Sequence, residues 1–348
     1  MTTPQNVLVT GGAGFIGAHT AKALNEAGFQ PIVFDNLSSG FREAVRWGPL
    51  VEGDIRDRDA LIRAMTDHQV SAVIHFAGLI EVGRSTREPD VFWDVNGAGT
   101  TCLLAAMRAC DVGRLVFSSS AAVYGKGDRG PLDAIPEDAP KAPASPYGDT
   151  KLAAEWMIAA QCRAYGLTAV ALRYFNAAGA DPSGLIGEAH EPETHLIPLA
   201  LAAGLGDGPP LTVFGADFDT PDGTCLRDYI HVSDLAAAHV AALQVELAAG
   251  AFEAVNIGTG QGHSVHQVVQ AVARALGRPV PHAVGPRRDG DPPSLVADPA
   301  RAKALLGWEP QHSSLDQIVA DALRWEGQPA YGAGSRAARK SESIRHSK

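Results

Sequence analysis

Short apolar runs alternate with amphipathic stretches along the first half of the chain. The predicted strands are NVLVT (6–10), QPIVFD (30–35), LVEGD (50–54), SAVIHFAG (71–78), RLVFSSS (114–120) and TAVALRYFN (168–176). The predicted helices between them include FIGAHTAKALNEAG, which ends at Gly28, and residues 86–110 and 148–165. Strands that are apolar throughout and alternate with helices are typical of a parallel sheet covered on both faces. The sequence therefore predicts a doubly wound parallel α/β domain over residues 1–176.

The composition changes after about residue 177. Residues 177–225 are rich in Gly, Pro, Asp and Glu, and short α/β patterns such as AVNIGTG and VHQVVQAVARAL follow. These features predict a smaller C-terminal α/β substrate lobe over residues 177–330, partly interwoven with the first domain. The last stretch, 331–348, lacks apolar periodicity and is predicted to be a disordered tail.

Bulk properties exclude several functional classes. The 348 residues carry a net charge of −10, which argues against a general nucleic-acid binder. No apolar run approaches the roughly 18 residues of a membrane span, and the N-terminal sequence shows no secretion signal. The four cysteines form no C-x-x-C pair and imply no disulfide framework. We therefore expect a cytoplasmic protein with neither a nucleic-acid nor a membrane partner.

The segment VLVTGGAGFIG spaces three glycines between a predicted strand and a predicted helix. Gly11, Gly14 and Gly17 let backbone N–H groups approach a pyrophosphate, which the helix N-terminus also favours. Asp35 ends the second predicted strand, where an acidic residue binds the adenosine ribose diol. Its charge would repel a 2′-phosphate, so the pattern favours NAD over NADP, with Arg42 as the opposing signal.

The predicted fifth strand ends in serines, close in sequence to a tyrosine and a lysine. Ser118 and Ser120 lie at the carboxyl edge of the predicted sheet, where doubly wound folds bind ligands. In PASPYGDTK (143–151), Tyr147 precedes Lys151 by one helical turn on the same face. A phenol with a pKa of about 10 is a poor base at neutral pH, but a nearby ammonium and a positive nicotinamide both favour the phenolate. This set predicts proton abstraction coupled to hydride transfer.

These motifs resemble the extended short-chain dehydrogenase/reductase superfamily, and most closely its UDP-glucose 4-epimerase family. The resemblance covers residues 6 to about 325. It is carried by TGGAGFIG, VIHFAGLIEVGRS, SSSAAVYG, SPYGDTKLAAE, LRYFNAAGADPSGLIGE, THLIP, FGADFDTPDGTCLRDYIHVSDLA and PRRDGDPPSLVAD. It implies a Rossmann fold, tightly held NAD and a UDP-sugar substrate. It also implies a homodimer, with residues 86–110 as a candidate dimer face.

The implied reaction removes a hydride from C4 of the hexose, turns the 4-keto intermediate within the pocket and returns the hydride to its other face. Tyr147 would be the general base and acid. Lys151 would lower the pKa of Tyr147 and bond the nicotinamide ribose, while Ser120 would hydrogen-bond the reacting hydroxyl. UDP would anchor the molecule during the rotation.

The resemblance also implies two sets of binding residues. The NAD site would comprise Gly11, Gly14, Phe15, Ile16, Gly17, Asp35, Asn36, Asp54, Ile55, Phe76, Ala77, Gly78, Asn96, Ser118, Tyr147, Lys151 and Phe175. The substrate site would comprise Ser120, Tyr147, Asn176, His195, Leu196, Arg227, Tyr229, Arg288 and Asp291. Two of these, Arg227 and Arg288, suit a diphosphate on chemical grounds alone, since guanidinium forks match its oxygens.

Several positions depart from the family pattern and leave the sugar open. Ile80 replaces a frequent lysine, Glu81 replaces a small residue, His195 stands where some members have Asn, and Leu295 occupies the position that gates an N-acetyl group. UDP-GlcNAc, UDP-arabinose/xylose and UDP-glucuronate therefore remain alternative substrates. A 4,6-dehydratase is disfavoured because AAVYG lacks the usual acid pair after the strand-five serines. A non-catalytic NAD sensor is disfavoured because the tyrosine and lysine are both present.

The histidines of HEPETH raise the question of a metal site. His190 and His195 do not have the i, i+4 spacing of a helical zinc motif, and Pro192 would break a helix between them. The sequence therefore favours a polar substrate loop, and no metal is predicted.

Overall fold

The computed structural model describes residues 5–125, 133–288 and 291–332. Most of the predicted tail, residues 333–348, lies outside this range. The strands, numbered in chain order, are β1 Asn6–Thr10, β2 Gln30–Asp35, β3 Leu50–Glu52, β4 Ala72–His75, β5 Arg114–Ser118, β6 Thr168–Tyr174, β7 Asn176–Ala178, β8 Leu211–Phe214, β9 Leu226–His231, β10 Phe252–Ile257, β11 Gly262–Ser264, β12 His282–Gly285 and β13 Ser294–Leu295.

Helices cover the sheet and build most of the second lobe. They are α1 Phe15–Glu26, α2 Arg58–Asp67, α3 Val82–Ser85, α4 Pro89–Phe92, α5 Gly99–Ala109, α6 Pro146–Tyr165, α7 Leu196–Leu205, α8 Val232–Gln244, α9 Val265–Leu276, α10 Ala300–Leu306 and α11 Leu315–Gly327. Short 3₁₀ turns occur at Arg42–Ala44 and Ala121–Val123. None of the helices in the described ranges is both long and apolar enough to cross a membrane.

The main sheet has seven parallel strands in the order β10-β6-β5-β4-β1-β2-β3. One apolar cluster packs α2, α5 and α6 against one face, and another packs α1, α8 and α10 against the other. The predicted doubly wound fold is confirmed. The strand order reverses between β1 and β4, and ligands bind at such a switch point in open α/β sheets.

The smaller lobe has its own sheets and core. In a four-stranded sheet, β9 pairs with β7, β11 and β13, and β8 pairs with β12 in a separate ribbon. A third apolar cluster joins α7, α9 and α11. β10, although it follows strands of the smaller lobe in the chain, lies in the main sheet, parallel to β6.

The structure departs from two sequence predictions. The single helix expected over residues 86–110 is divided into α4, a π-helical turn at Trp93–Ala98 and α5. The wider π turn includes Asn96, whose side chain is used in hydrogen bonds outside this segment. Tyr331, assigned to the tail, is buried, and its hydroxyl donates to Gly187 O at 3.0 Å.

Candidate active site

The Gly-rich turn joins β1 to α1 at the switch point. A Cβ on Gly17 would lie 2.2 Å from Gly11 O, and a Cβ on Gly11 would lie 2.6 Å from Ala77 N, so the turn closes tightly only without side chains. Gly14 caps α1 without any side-chain cap bond, and no acidic residue lies in the first helical turn. The amide groups at this helix end therefore have no side-chain partner at the N-cap and could bind an anion such as the pyrophosphate of a dinucleotide.

Acidic side chains lie at the carboxyl ends of β2 and β3, where the adenosine of NAD is expected. Asp35 accepts hydrogen bonds from Ala13 N at 3.0 Å and Leu37 N at 2.8 Å, and burial raises its pKa. Asn36 donates to Asp54 at 3.1 Å, and hydrogen bonds from Arg56 lower the pKa of the Asp54 carboxyl. The structure therefore brings these three predicted residues to one edge of the sheet.

Arg42, the residue that could favour NADP, is paired with an acidic residue of the protein. Arg42 pairs with Glu52 at 2.5 Å on the surface rather than extending freely beside Asp35. The arrangement therefore favours a ribose diol over a 2′-phosphate in the neighbourhood of Asp35.

The loop after β4 lies against the Gly-rich turn. Ala77 N donates to Thr10 O at 3.1 Å, and a Cβ on Gly78 would lie 2.9 Å from Asn96 Oδ1. Asn96 accepts from Leu79 N at 2.8 Å and donates to Thr150 Oγ1 at 3.1 Å. The predicted NAD residue Asn96 thus ties this loop to α6.

Two predicted NAD residues use their side chains for packing. Ile55 is buried in the core beneath α5, and the ring of Phe76 packs against His239 with centroids 4.6 Å apart. Their backbone groups remain at the sheet edge. Phe175 is also buried, in a small cluster with Tyr124 and Leu295.

The serine-rich end of β5 faces the start of α6. Lys151 Nζ donates to Ser118 O at 2.9 Å, and the Ser118 hydroxyl bonds the Tyr174 hydroxyl at 2.8 Å. Ser145 caps α6 by accepting from Gly148 N at 3.2 Å, with Pro146 as the first helical residue. This cap fixes the first turn, so that Tyr147 and Lys151 both face the end of β5.

Burial dominates the proton affinities of the tyrosine and the lysine. It lowers the pKa of Lys151 to about 8, with the ammonium 5.8 Å from the centre of the Tyr147 ring. It raises the pKa of Tyr147, with Tyr174 adding to the rise and a hydrogen bond from Ser120 opposing it. In the described part of the protein, Lys151 does not lower the pKa of Tyr147 as expected. Burial of the phenol prevails, and the Lys151 ammonium is directed at the Ser118 carbonyl.

Sequence reasoning missed a buried polar network beneath these serines. Arg173 forms a bidentate pair with Glu155, with N–O distances of 2.9 and 2.6 Å, and Glu155 accepts from Ser119 Oγ at 2.5 Å. Arg173 also donates to Tyr124 Oη at 2.9 Å. In the sequence, Arg173 is the one charged residue of the predicted strand TAVALRYFN. A charge in an otherwise apolar strand indicates a buried polar partner, and this was the available signal for the network.

Four of the nine predicted substrate residues, Asn176, His195, Leu196 and Tyr229, line a small cleft. Asn176 on β7 lies opposite Tyr229 on β9, and Leu196 begins α7. The cleft is lined by Asn176, Ala177, Ala178, Glu188, His195, Leu196, Ile197, Pro198 and Tyr229. Burial raises the pKa of Tyr229, which keeps its phenol neutral.

An acidic residue joins the two predicted diphosphate arginines. Asp291 Oδ1 lies 3.4 Å from Arg227 Nη2, and Asp291 Oδ2 accepts from Arg288 Nε at 2.9 Å. Arg227 is largely buried, whereas the Arg288 side chain is 57% exposed. The three residues therefore lie together, with Arg288 the more accessible of the two cations.

Two of the positions that depart from the family pattern directly precede α3. Ile80 is exposed, and Glu81 stands at the N-cap position of α3 without a side-chain cap bond, with its carboxylate 3.5 Å from Arg84. Leu295 on β13 lies opposite Arg227 on β9 and packs against the cluster that contains Phe175.

His195 lies at the rim of the cleft in an acidic environment. Its Nδ1 is 2.9 Å from both Glu188 Oε1 and Glu193 Oε1. Burial alone would lower the pKa of His195, but the two carboxylates outweigh it and raise the pKa to about 10.

Residues 7–258 match the NAD dependent epimerase/dehydratase family. The chain belongs to this family. Among relatives in this NAD-dependent epimerase family, the UDP-glucose 4-epimerase of Rhizobium meliloti is 48% identical over 321 residues, covering 92% of this chain and 97% of the relative.

Solved structures agree with the family assignment. The UDP-glucose 4-epimerase from Brucella ovis in complex with NAD is 50% identical with a TM-score of 0.87, covering 92% of this chain and 97% of that chain. The UDP-glucose 4-epimerase from Stenotrophomonas maltophila, with bound NAD and formylated UDP-arabinopyranose, is 39% identical with a TM-score of 0.89. That match covers 97% of this chain and 99% of the other.

Proposed function

We propose that this chain is an NAD-dependent UDP-glucose 4-epimerase that interconverts UDP-galactose and UDP-glucose. The observation that carries the proposal is a buried phenol and ammonium beside the partly buried hydroxyl of Ser120, at the carboxyl edge of a sheet that also carries a Gly-rich turn. Relatives of nearly the same length, named UDP-glucose 4-epimerase at 48% and 50% identity, support it. NAD would be held by the Gly-rich turn and Asp35, and would supply a reversible acceptor for the hydride of C4.

The residues at the end of β5 and the start of α6 handle the proton. Tyr147 acts in its phenolate form, which the Lys151 ammonium and the positive nicotinamide of bound NAD would favour against the effect of burial. The phenolate takes the proton of the C4 hydroxyl as the alcohol is oxidised and gives it back when the ketone is reduced. The hydrogen bond from the Ser120 hydroxyl to Tyr147 opposes the rise in the pKa of Tyr147. With substrate bound, the Ser120 hydroxyl also hydrogen-bonds the oxygen on C4 of the sugar. Lys151 keeps a positive charge near the phenol and is held in place by Ser118 O.

The second lobe anchors the nucleotide while the sugar turns. Arg227 and Arg288 bind the diphosphate, with Asp291 holding the two guanidinium groups near one another. Asn176, His195, Leu196 and Tyr229 face the sugar and its phosphates from the cleft. Binding energy far from C4 retains the ketone until it is reduced.

The test is to incubate purified protein with UDP-galactose and no added cofactor. We expect conversion to UDP-glucose, with about one NAD per chain recovered from the denatured protein. UDP-GlcNAc, UDP-arabinose and UDP-glucuronate are assayed in parallel under the same conditions. Turnover of one of these without turnover of UDP-galactose would contradict the proposed substrate, and a protein free of NAD that turns over nothing would contradict the activity.

Two wider expectations belong to the same proposal. A homodimer is supported by exposed aromatic side chains near the divided helix and on α6, Trp93 at 44% and Trp156 at 65% exposure. Light scattering at two protein concentrations tests it, since a monomer mass at both would contradict it. The cytoplasmic location stays a prediction, tested by fractionation of cells that express the full chain.

A further inference from the structure

Four side chains with metal-binding atoms converge beside the cleft, in the segment that the sequence assigned to a polar loop. They are Glu188, His190, Glu193 and His195, called here the Glu–His cluster, and their ligand atoms all lie within 4.8 Å of one another. The segment precedes α7 and is not helical, so the five-residue separation of the histidines does not keep their rings apart. The ring centroids are 4.9 Å apart.

The distances within the Glu–His cluster suit a small tetrahedral ion. His195 Nδ1 lies 2.9 Å from Oε1 of each glutamate, and His190 Nδ1 lies 3.2 Å from Glu188 Oε1. The other oxygen of Glu193, Oε2, is 3.8 Å from His190 Nδ1. With bonds of about 2.0–2.1 Å from zinc to nitrogen or oxygen, neighbouring ligands of a tetrahedral site are about 3.3 Å apart. The three pairs at 2.9, 2.9 and 3.2 Å are close to this value, and all four ligand atoms lie within 4.8 Å of one another.

The protein holds one carboxylate in place and leaves one imidazole nitrogen unsatisfied. Glu193 Oε1 accepts from Thr194 N at 2.7 Å and from His195 N at 2.8 Å, which fixes this carboxylate by its own backbone. His190 Nδ1 is buried and makes no well-directed hydrogen bond within the described residues, although Glu188 Oε1 is near. A buried nitrogen of this kind that faces two carboxylates is suited to a cation.

The chemistry of the donor set selects the class of ion. A metal ion would displace the protons of the two histidines. The two imidazoles and two carboxylates then offer two nitrogens, two oxygens and two negative charges, which neutralise a divalent ion. Imidazole ligands favour zinc and its neighbours over magnesium or calcium, which prefer oxygen-only sites. Glu188 is nearly fully buried and the His195 side chain is 41% exposed, so the cluster has a fixed floor and an open side through which an ion can enter.

We propose that the Glu–His cluster binds one divalent transition-metal ion of the zinc class and thereby fastens the 188–195 segment beside the substrate cleft. Phe15, at the start of α1, touches the ring of His190 with centroids 6.4 Å apart, so the ion would also brace the segment against the first helix. The competing interpretation is a cluster of ion pairs between protonated histidines and glutamates, with no metal.

The test measures metal binding directly and does not depend on turnover. Protein with its bound NAD is treated with a chelator, desalted and titrated with ZnCl₂ against a chromophoric competitor, and with CoCl₂ while the visible spectrum is recorded. We expect one zinc per chain, an intense cobalt spectrum typical of tetrahedral geometry, and a higher melting temperature with zinc. Absence of binding, or a weak octahedral cobalt spectrum, supports the ion-pair interpretation and overturns the proposal.

Matched variants locate the ion. His190→Asn and Glu193→Gln should each weaken zinc binding by at least about tenfold and abolish the tetrahedral cobalt bands. Glu193→Gln is the milder change, because an amide oxygen can still accept the two backbone bonds, and melting without metal checks that both variants are folded. The control is His266→Asn, which removes a histidine near His282, with ring centroids 6.0 Å apart and away from the cluster, and should bind zinc as the wild type does. Zinc binding that survives both cluster variants overturns the proposal.

Discussion

Tyr147 is a buried phenol whose proton affinity is raised by its surroundings. Replacing it with Phe removes the proton acceptor and keeps the ring that packs at the start of α6. We expect Tyr147→Phe to retain NAD and to lose about 10²–10⁴-fold in kcat, the usual contribution of a positioned acid or base. The measurement is the initial rate with UDP-galactose, together with the NAD content of the purified variant.

Tyr165→Phe is the matched control for this change. Tyr165 ends the same helix but is 58% exposed and far from the serines of β5. Its rate should equal that of the wild type. Near-normal turnover by Tyr147→Phe would show that another group takes the proton.

Lys151 carries a charge that burial opposes, and this has a consequence for stability. Its pKa of about 8 in the folded state lies below its ordinary value of 10.5, so the unfolded state binds more protons between these two values. The contribution of Lys151 to the free energy of unfolding should therefore rise as the pH rises from about 8 to 10.5. Below about pH 8 the full penalty is present.

Lys151→Met removes this charge while keeping an unbranched side chain of similar length. We expect it to stabilise the fold at pH 7 by about 2 kcal/mol, allowing for the lost bond to Ser118 O, and to reduce epimerase activity severely. Urea unfolding at pH 7 and pH 10 measures the effect, and the gain should shrink at the higher pH. A destabilised variant at pH 7 would mean that the hydrogen bond outweighs the buried charge.

At the level of elements, the turn between β1 and α1 has no room for a side chain at Gly11 or Gly17. Gly17→Ala would place a Cβ 2.2 Å from Gly11 O, which forces the turn open. We expect this variant to lose bound NAD and to unfold at lower urea concentration. Gly327→Ala is the control, because a Cβ added there at the end of α11 would have no atom within 4 Å, and no change in NAD content should follow.

The elements also show what the sequence could and could not predict. Strand and helix patterns are local, so the parallel sheet, the Gly-rich turn and the Tyr147–Lys151 face were predictable from spacing alone. The division of residues 86–110 was not, because the π turn is tied to bonds that Asn96 makes to Leu79 and Thr150, both distant in sequence. Likewise, the convergence of His190 and His195 depends on the path of a loop with no periodic pattern.

Charge environments were the least predictable part of the site. The sequence placed a lysine one turn from Tyr147 and predicted a lowered phenol pKa from that proximity. In the protein without NAD, the pKa of Tyr147 is raised and not lowered. The causes are the burial of both groups and the direction of the lysine toward Ser118 O, which are properties of the packed structure.

At the scale of the whole molecule, a buried ion pair connects distant parts of the chain. Arg173 on β6 contacts Glu155 on α6 and Tyr124 after β5, and Tyr124 in turn donates to Asn256 on β10 at 2.6 Å. Arg173→Met would leave the Glu155 carboxylate buried without its partner. We expect it to destabilise the protein by about 3–5 kcal/mol, the usual effect of breaking a buried pair.

Urea unfolding in the presence of saturating NAD measures this effect, with Arg274→Met as the control. Arg274 pairs with Asp316 on the surface at 2.6 Å, where ion pairs contribute little. The double variant Glu155→Gln/Arg173→Met should recover part of the loss, because it removes the unpaired charge. A loss for Arg173→Met no larger than that of the control would contradict the role given to the pair.

The position of β10 also bears on how the chain folds during synthesis. Because β10 forms the outer strand next to β6, the nascent chain exposes an unpaired β6 edge until residue 257 has left the ribosome. Unpaired edges favour pairing with neighbouring chains. The nucleotide-binding sheet can therefore be completed only late in translation, and a polypeptide released before that point would be prone to aggregate.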